Sequence, residues 1–411
     1  MAENCKCVGK KVRIVTLKEE LEVLRGEPIK VFEGDPMAIP CVEISDAEKL
    51  CKHPVVSVHM CTYNHESYIR QAIEGVMMQK TDFEFELVIG EDCSQDKTRE
   101  ICFEYQKKYP DKIRVLWWHE NLRNIKHPGG GNSRRVMAHC RGDFIAFCEG
   151  DDYWIDPLKL QKQVDVMRKY PNVGLCFCGA YDYSAQDGIF RDFYLTSNFP
   201  VELMDGQSYI RRNVFGSGAS GELGKESFVR TASAIVRVDV MNKAMAEFEI
   251  LRWKLLLGDV PLWLSVSALS DVYYLQDRVA VYRINPTGVC ATKGETVMRD
   301  NYLTRIYFMV LLFGTLVQSE VSCLSKYYLK SVACALLKAG SEKSASKIVK
   351  FICHSSKYRW LLKGSGFWLR LFMRMNVLTT RSYNFSQKMS VAMKYLTRII
   401  LCVKRHIVKK N

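Results

Sequence analysis

Residues 55–79, VVSVHMCTYNHESYIRQAIEGVMMQ, change their period halfway. The first six are a β-branched run bounded by Pro54 and by polar residues, which reads as a strand. From Tyr68 onward Ile69, Ala72, Ile73, Val76 and Met77 recur at helical spacing. The alternation then repeats. FELVIGED (85–92) reads as a strand that stops in acids, KTREICFEYQKKY (97–109) as a helix halted by Pro110, and IRVLWW (113–118) as a strand. DFIAFC (143–148) and VGLCFC (173–178) read as strands either side of a helix, PLKLQKQVDVMRKY (157–170), with Pro157 near its first turn. Strands alternating with helices predict an α/β fold with a mostly parallel sheet. Farther on, 226–240 predicts a strand, LGDVPLWLSVSAL (257–269) a helix, and 272–275 and 279–284 two strands. Beyond 300 the pattern is helical.

Composition narrows the class. The 411 residues are 48% apolar and 25% charged, which is globular. No apolar run reaches the roughly 18 residues that a spanning helix needs, and the N-terminus lacks the apolar core of a secretory signal. Sixteen cysteines show C-x-C pairs (Cys5/Cys7, Cys176/Cys178) but no C-x-x-C spacing. A reducing, cytoplasmic location is expected. The net charge of +14 is uneven. Over 311–411, nineteen Lys/Arg face only Glu320 and Glu342, a local +17 that leaves the first 310 residues at −3. The expected organisation is an irregular N-terminal extension over 1–53, a catalytic domain over 54–300, and a basic helical region over 301–411.

In parallel sheets ligands bind outside the carboxyl ends of the strands. The unusual residues fall there: Thr62, Tyr63 and Asn64 after the first strand, Glu91 and Asp92 after the second, and Glu149, Asp151 and Asp152 after the strand at 143–148. Clustered carboxylates repel, and Asp151 and Asp152 offer hard oxygen ligands suited to Mg²⁺ or Mn²⁺ with a substrate diphosphate. A solvated turn capping the helix near Pro157 would use the same D-D pair. Asp92 can accept from a nucleobase or ribose, or can close an Asx turn. No G-x-G-x-x-G follows the first strand and no P-loop occurs.

VSVHMCTYNHESYIRQAIEGVMMQ, FELVIGEDCSQDKTREIC and GDFIAFCEGDDYW, in this order, resemble the nucleotide-binding half of family 2 glycosyltransferases of the bacterial surface-polysaccharide type. The resemblance spans about 54–180. It implies a GT-A, Rossmann-like sheet with helices on both faces, and a nucleotide-sugar donor, a UDP-sugar being expected. It also implies roles. Thr62 and Tyr63, with Asn64 and Glu91 beside them, would line the base site; Asp92 would read base or ribose. Asp151 would lie at ribose and metal, and Asp152 would bind the metal. Asp259, in LLLGDVPLWL, would be the general base, although it could equally cap its helix. Relatives often carry Y-R-x-H-x-x-G, whereas this chain reads Y-R-I-N-P-T-G. Asn285 stands at the histidine position, where it can coordinate but not titrate, and Arg283 remains a fixed cation for phosphate.

The expected reaction is inverting transfer to a hydroxyl of a glycan or lipid-linked acceptor. A degenerate transferase serving as a scaffold is the alternative that Asn285 favours. A sugar-nucleotide pyrophosphorylase would need a Gly-rich, Arg-containing loop where Thr62-Tyr63-Asn64-His65 stands. In the tail, Lys394, Arg398, Arg405 and Lys409 share one helical side opposite Leu396, Ile399, Ile400, Val403 and Ile407. Such a helix suits an anionic inner membrane surface, or docks with its charges in solvent. No nucleic-acid module accompanies the charge, so nucleic acid is not an expected partner.

Overall fold

A computed structural model describes residues 41–122, 131–184, 186–192, 202–215, 229–256 and 258–285, with positions 288, 292, 300, 301, 304, 307 and 308 beyond them. The basic tail and most of the N-terminal extension lie outside the described residues. In chain order the elements are β1 (Val42–Ile44), β2 (Val56–Thr62), α1 (Ile69–Met77), β3 (Phe85–Glu91), α2 (Thr98–Lys108), β4 (Ile113–Trp117) and α3 (Asn132–His139). Then come β5 (Phe144–Phe147), β6 (Tyr153–Trp154), α4 (Lys159–Lys169), β7 (Val173–Ser184), β8 (Ile189–Asp192), β9 (Leu203–Met204) and α5 (Gly206–Phe215). The described elements end with β10 (Ile235–Arg237), α6 (Val238–Glu247), α7 (Asp259–Ser267) and β11 (Asp271–Ile284).

One mixed sheet runs β1-β4-β3-β2-β5-β10-β7-β11-β6, with β8 on β7 and β9 on β11. Where helices alternate with strands, β4, β3, β2 and β5 are parallel, as expected. Outside that region the pairing is mixed: β1 on β4 and β10 between β5 and β7 are antiparallel, whereas β11 runs parallel to β7. The stretch 272–284 forms one strand rather than two. Its polar Gln276, Asp277 and Arg278 sit at register shifts opposite β7, which break the alternation without ending the ladder.

Period-2 patterning assigns the two faces. Val56, Val58 and Met60 of β2 join the main core with Ile69, Ile73 and Val76 of α1, Ile101 of α2 and Leu160 and Val164 of α4. On the other face, Val88 and Leu116 pack with Val136 of α3. The polar residues on that face, buried on aligned strands, pair with each other. Ser57 Oγ donates to Glu86 Oε1 (2.6 Å), and Arg114 and Arg141 donate to Glu86 Oε2 (3.2 and 2.7 Å). Arg114 also forks onto Glu43 of β1 (2.8 and 3.0 Å), which ties that edge strand down.

Candidate active site

The carboxyl ends of β2, β3 and β5 carry three loops that interlock. The N–H of Asp92 donates to the carbonyl of Thr62 (3.1 Å), and the N–H of Gly150 to the carbonyl of Cys61 (2.9 Å). Gly150 has no room for a side chain: an added Cβ would lie 2.7 Å from Thr62 Oγ1 and 2.8 Å from Thr62 Cβ.

At the first loop Thr62 is buried, whereas Tyr63 is 38% exposed and faces outward. Asn64 adopts φ 53°, a left-handed conformation that asparagine tolerates. Its N–H donates to Ser94 Oγ (3.0 Å), and its Oδ1 accepts from the N–H of Gln95 (2.8 Å), bridging to the β3–α2 loop. Glu91 is enclosed. It accepts from the N–H of Ser94 (2.6 Å) and from Arg99 Nε (2.6 Å), and Arg99 in turn lies over the Trp117 ring. Asp92 Oδ1 accepts from the N–H of Leu122 (2.8 Å). Glu91 and Asp92 thus sit buried within this wall, and Asn64 and Tyr63 stand exposed at its rim.

The β5 end is acidic. Burial and the neighbouring charges of Asp151 and Asp259 push Glu149 up to about 8. Burial and the Asp151 charge hold Asp152 well above the usual carboxylate range. Asp259 lies far along the chain, yet the fold brings its helix to the end of β5: Trp263, one turn farther along α7, sets its ring 5.2 Å from that of Phe147. Asp259 opens α7. Its Oδ1 accepts from the N–H of Val260 (2.8 Å) and its Oδ2 from Thr231 Oγ1 (3.1 Å). Burial raises its pKa, and those two donors oppose the rise.

Arg283 closes the site from β11. Because β6 pairs antiparallel with β11 and follows Asp152 at once, the N–H of Arg283 meets Asp152 Oδ1 at 2.9 Å. Its guanidinium lies over the rings of Tyr153 (4.4 Å) and Tyr68 (5.1 Å) and donates to the carbonyl of Asp151 (2.5 Å) and to Gln71 Oε1. Asn285 stands two residues beyond, in a turn where the N–H of Gly288 donates to its carbonyl (3.0 Å).

Two contributors escape a reading of the motifs. Thr231, and Arg230, which forks onto Asp182 (3.0 and 2.6 Å), come from a segment with no motif. Among the described residues, no three His, Cys, Asp or Glu side chains are grouped so as to hold a metal ion. An ion here would take its remaining ligands from substrate and water.

Residues 57–230 match the model of glycosyl transferase family 2. An uncharacterised Mycobacterium tuberculosis protein is 35% identical over 161 residues, 38% of this chain and 45% of that protein. The putative teichuronic acid biosynthesis glycosyltransferase TuaG of Bacillus subtilis is 32% identical over 143 residues, 34% of this chain and 52% of that protein. The chain thus spans about half the length of these relatives. The crystal structure of Staphylococcus aureus TarS 1–349 with UDP-GlcNAc aligns with a TM-score of 0.45 at 15% identity, covering 75% of this chain and 90% of that one.

Proposed function

We propose, from the match of residues 57–230 to the model of glycosyl transferase family 2, that the chain transfers a sugar from a nucleotide-sugar donor, a UDP-sugar, to a hydroxyl of a glycan or lipid-linked acceptor in surface-polysaccharide synthesis. The observation that carries this reading is the approach of α7, which Asp259 opens, to the end of β5, where the Trp263 ring meets that of Phe147 at 5.2 Å.

The roles follow from the contacts. Tyr63 and Asp92 face the nucleoside: the ring offers a stacking surface and the carboxylate an acceptor for base or ribose donors. Thr62, Asn64 and Glu91 hold these two in place. Asp259 takes the proton of the acceptor hydroxyl as its oxygen attacks the anomeric carbon. The bond to the diphosphate breaks on the opposite side, so configuration inverts. A base must be unprotonated at working pH. The Val260 N–H and the Thr231 hydroxyl favour that form against the cost of burial.

The site fits a divalent ion, Mg²⁺ or Mn²⁺. Glu149, Asp151 and Asp152 are hard oxygen donors, and burial, with the nearby Asp151 charge, raises Glu149 and Asp152. Asp151, with Asp152 behind it and Asn285 nearby, would hold the ion, which when bound supplies positive charge toward the departing diphosphate. Arg283 adds a fixed cation at the same place. Its stacked guanidinium needs no rearrangement to meet a phosphate.

A thermal-unfolding screen of UDP- and GDP-sugars with Mn²⁺ tests the reading, since a ligand of the native state alone raises Tm. The best stabiliser should also be hydrolysed slowly by the wild-type chain. No stabilisation by any nucleotide sugar, with or without Mn²⁺, would remove the proposal. We assign the segment 390–410, whose sequence projects basic and apolar residues to opposite sides at helical spacing and which lies outside the described residues, to an anionic inner membrane surface. Deleting 385–411 should move the protein from the membrane to the soluble fraction. An unchanged distribution would favour a docked helix.

A further inference from the structure

Among the described residues His65 is the imidazole that reaches the acidic end of β5. Its Nε2 lies 3.9 Å from Asp151 Oδ2, and both side chains are partly open to solvent, 18% and 25% exposed. That distance is too long for a hydrogen bond. It matches two donors sharing one ion, since ligands each about 2.1 Å from a metal lie about 3 to 4.2 Å apart.

The ring is held as a metal-ligating histidine is held. Nδ1 sits 3.2 Å from Thr62 Oγ1. With the hydrogen on Nδ1 donated to that hydroxyl, the Nε2 lone pair points toward Asp151. A second hydrogen bond of this kind fixes tautomer and orientation in imidazole ligands. The backbone is clamped too. The N–H of His65 donates to Thr98 Oγ1 (2.8 Å), and its carbonyl accepts from the N–H groups of Tyr68 and Ile69 (both 2.8 Å). Bare Gly150 lets this loop close onto the acids, because an added Cβ would stand 3.0 Å from His65 Nδ1. Asp152 is less available: it is 2% exposed and spends Oδ1 on the N–H of Arg283.

We infer that His65 is a nitrogen ligand, alongside Asp151, of the divalent ion at the donor diphosphate, and that it biases the site toward Mn²⁺ over Mg²⁺. This rests on the metal-dependent transferase reading above and adds a residue and a selectivity to it. Imidazole suits transition metals, whereas an all-oxygen site suits Mg²⁺. An imidazole reaching the ion from the β2–α1 loop supplies a nitrogen donor, whereas Asn285 offers only its amide oxygen.

The test uses the full chain, stripped of metal and saturated with UDP or GDP, whichever stabilises it. Mn²⁺ and Mg²⁺ are titrated separately, and the bound Mn²⁺ is examined by pulsed electron paramagnetic resonance. Wild type should show a directly coordinated nitrogen. His65→Ala should lose that coupling and bind Mn²⁺ about 10- to 100-fold more weakly, while its affinity for Mg²⁺ changes far less. His65→Asn serves as a second variant, and unchanged thermal unfolding without metal shows that both fold. Mn²⁺ bound by wild type without nitrogen coupling, and with a Mn²⁺/Mg²⁺ preference unmoved in His65→Ala, overturns the inference and leaves the transferase reading standing. No Mn²⁺ binding by wild type with either nucleotide overturns both.

Discussion

The backbone N–H of Arg283 donates to Asp152 Oδ1 at 2.9 Å, joining residues 131 positions apart. The contact exists because Tyr153 and Trp154 leave the D-D pair as a strand and pair with Ala280 and Val281. Trp154 anchors that strand: its Nε1 donates to the carbonyl of Ala232 (2.7 Å), and α1 comes so close that a Cβ on Gly75 would be 2.9 Å from its backbone. The position of the acids is therefore set from β11 as much as from β5.

Arg283→Lys should show this. Lysine keeps the charge but gives up the planar stack between Tyr68 and Tyr153 and the fork to Gln71 and the Asp151 carbonyl. Charged hydrogen bonds and cation–π contacts of this kind are worth about 1.5–3 kcal/mol, so transfer should fall about 10- to 100-fold in kcat/KM. Steady-state kinetics beside a thermal melt check it. Wild-type kcat/KM in a folded Arg283→Lys would make the arginine a spectator.

The base assignment makes a paired prediction. Asp259→Asn should bind the donor normally and lose transfer by about 10²- to 10⁴-fold. In Thr231→Val the ionised carboxylate loses a donor that stabilises it. The pKa of Asp259, already raised by burial, should rise further. Protonation removes the base, so the acid limb of the pH–rate profile should move to higher pH. Thr231→Ser should restore it. A limb that stays put in Thr231→Val would separate that hydroxyl from the base.

The reason some of this was legible in sequence and some was not is physical. Strand-to-helix alternation writes the periods of β2, α1, β3 and α2 directly into local order, and the acids at the ends of β3 and β5 mark the ligand edge. Thr62, Tyr63, Asp92, Asp151 and Asp152 could be located this way. What pairs over distance leaves no such mark. β10 inserts antiparallel between β5 and β7 from more than fifty residues away, and β11 bridges a polar interruption that reads locally as a break. Glu91 also ties its loop down through Ser94 and Arg99, and Asn64 bridges to Gln95, contacts that no local pattern announces.

Gly150 is a steric prediction. An alanine Cβ would press on Thr62 Cβ at 2.8 Å, an atom fixed to the buried end of β2, so the two loops must separate. Gly150→Ala should cost about 1–3 kcal/mol of stability and weaken nucleotide binding at the same time, because the wall carrying Tyr63 and the loop carrying Asp151 move apart. Denaturant unfolding and UDP titration measure the two effects. A variant with native stability and affinity would show that the loops are not in this contact.

The last prediction concerns Lys159, buried without a carboxylate in direct contact. Its Nζ donates to Gln163 Oε1 (2.7 Å) and lies over the Trp154 ring (4.1 Å). Burial pushes its pKa down from 10.5 to about 8. Between those two values the unfolded chain holds a proton that the folded chain has released. Stability should therefore rise with pH through that window, and the full penalty should apply below about pH 8. A shift of this size corresponds to about 3 kcal/mol. Other titrating groups are common to wild type and Lys159→Met, so the difference between their unfolding free energies isolates this one. That difference should be constant from pH 6 to 7.5, then change by about 3 kcal/mol in favour of wild type by pH 10.5. Chemical denaturation at six or seven pH values suffices. A difference that stays flat throughout would mean that Lys159 keeps its charge in the core, held by Gln163 and the Trp154 ring alone.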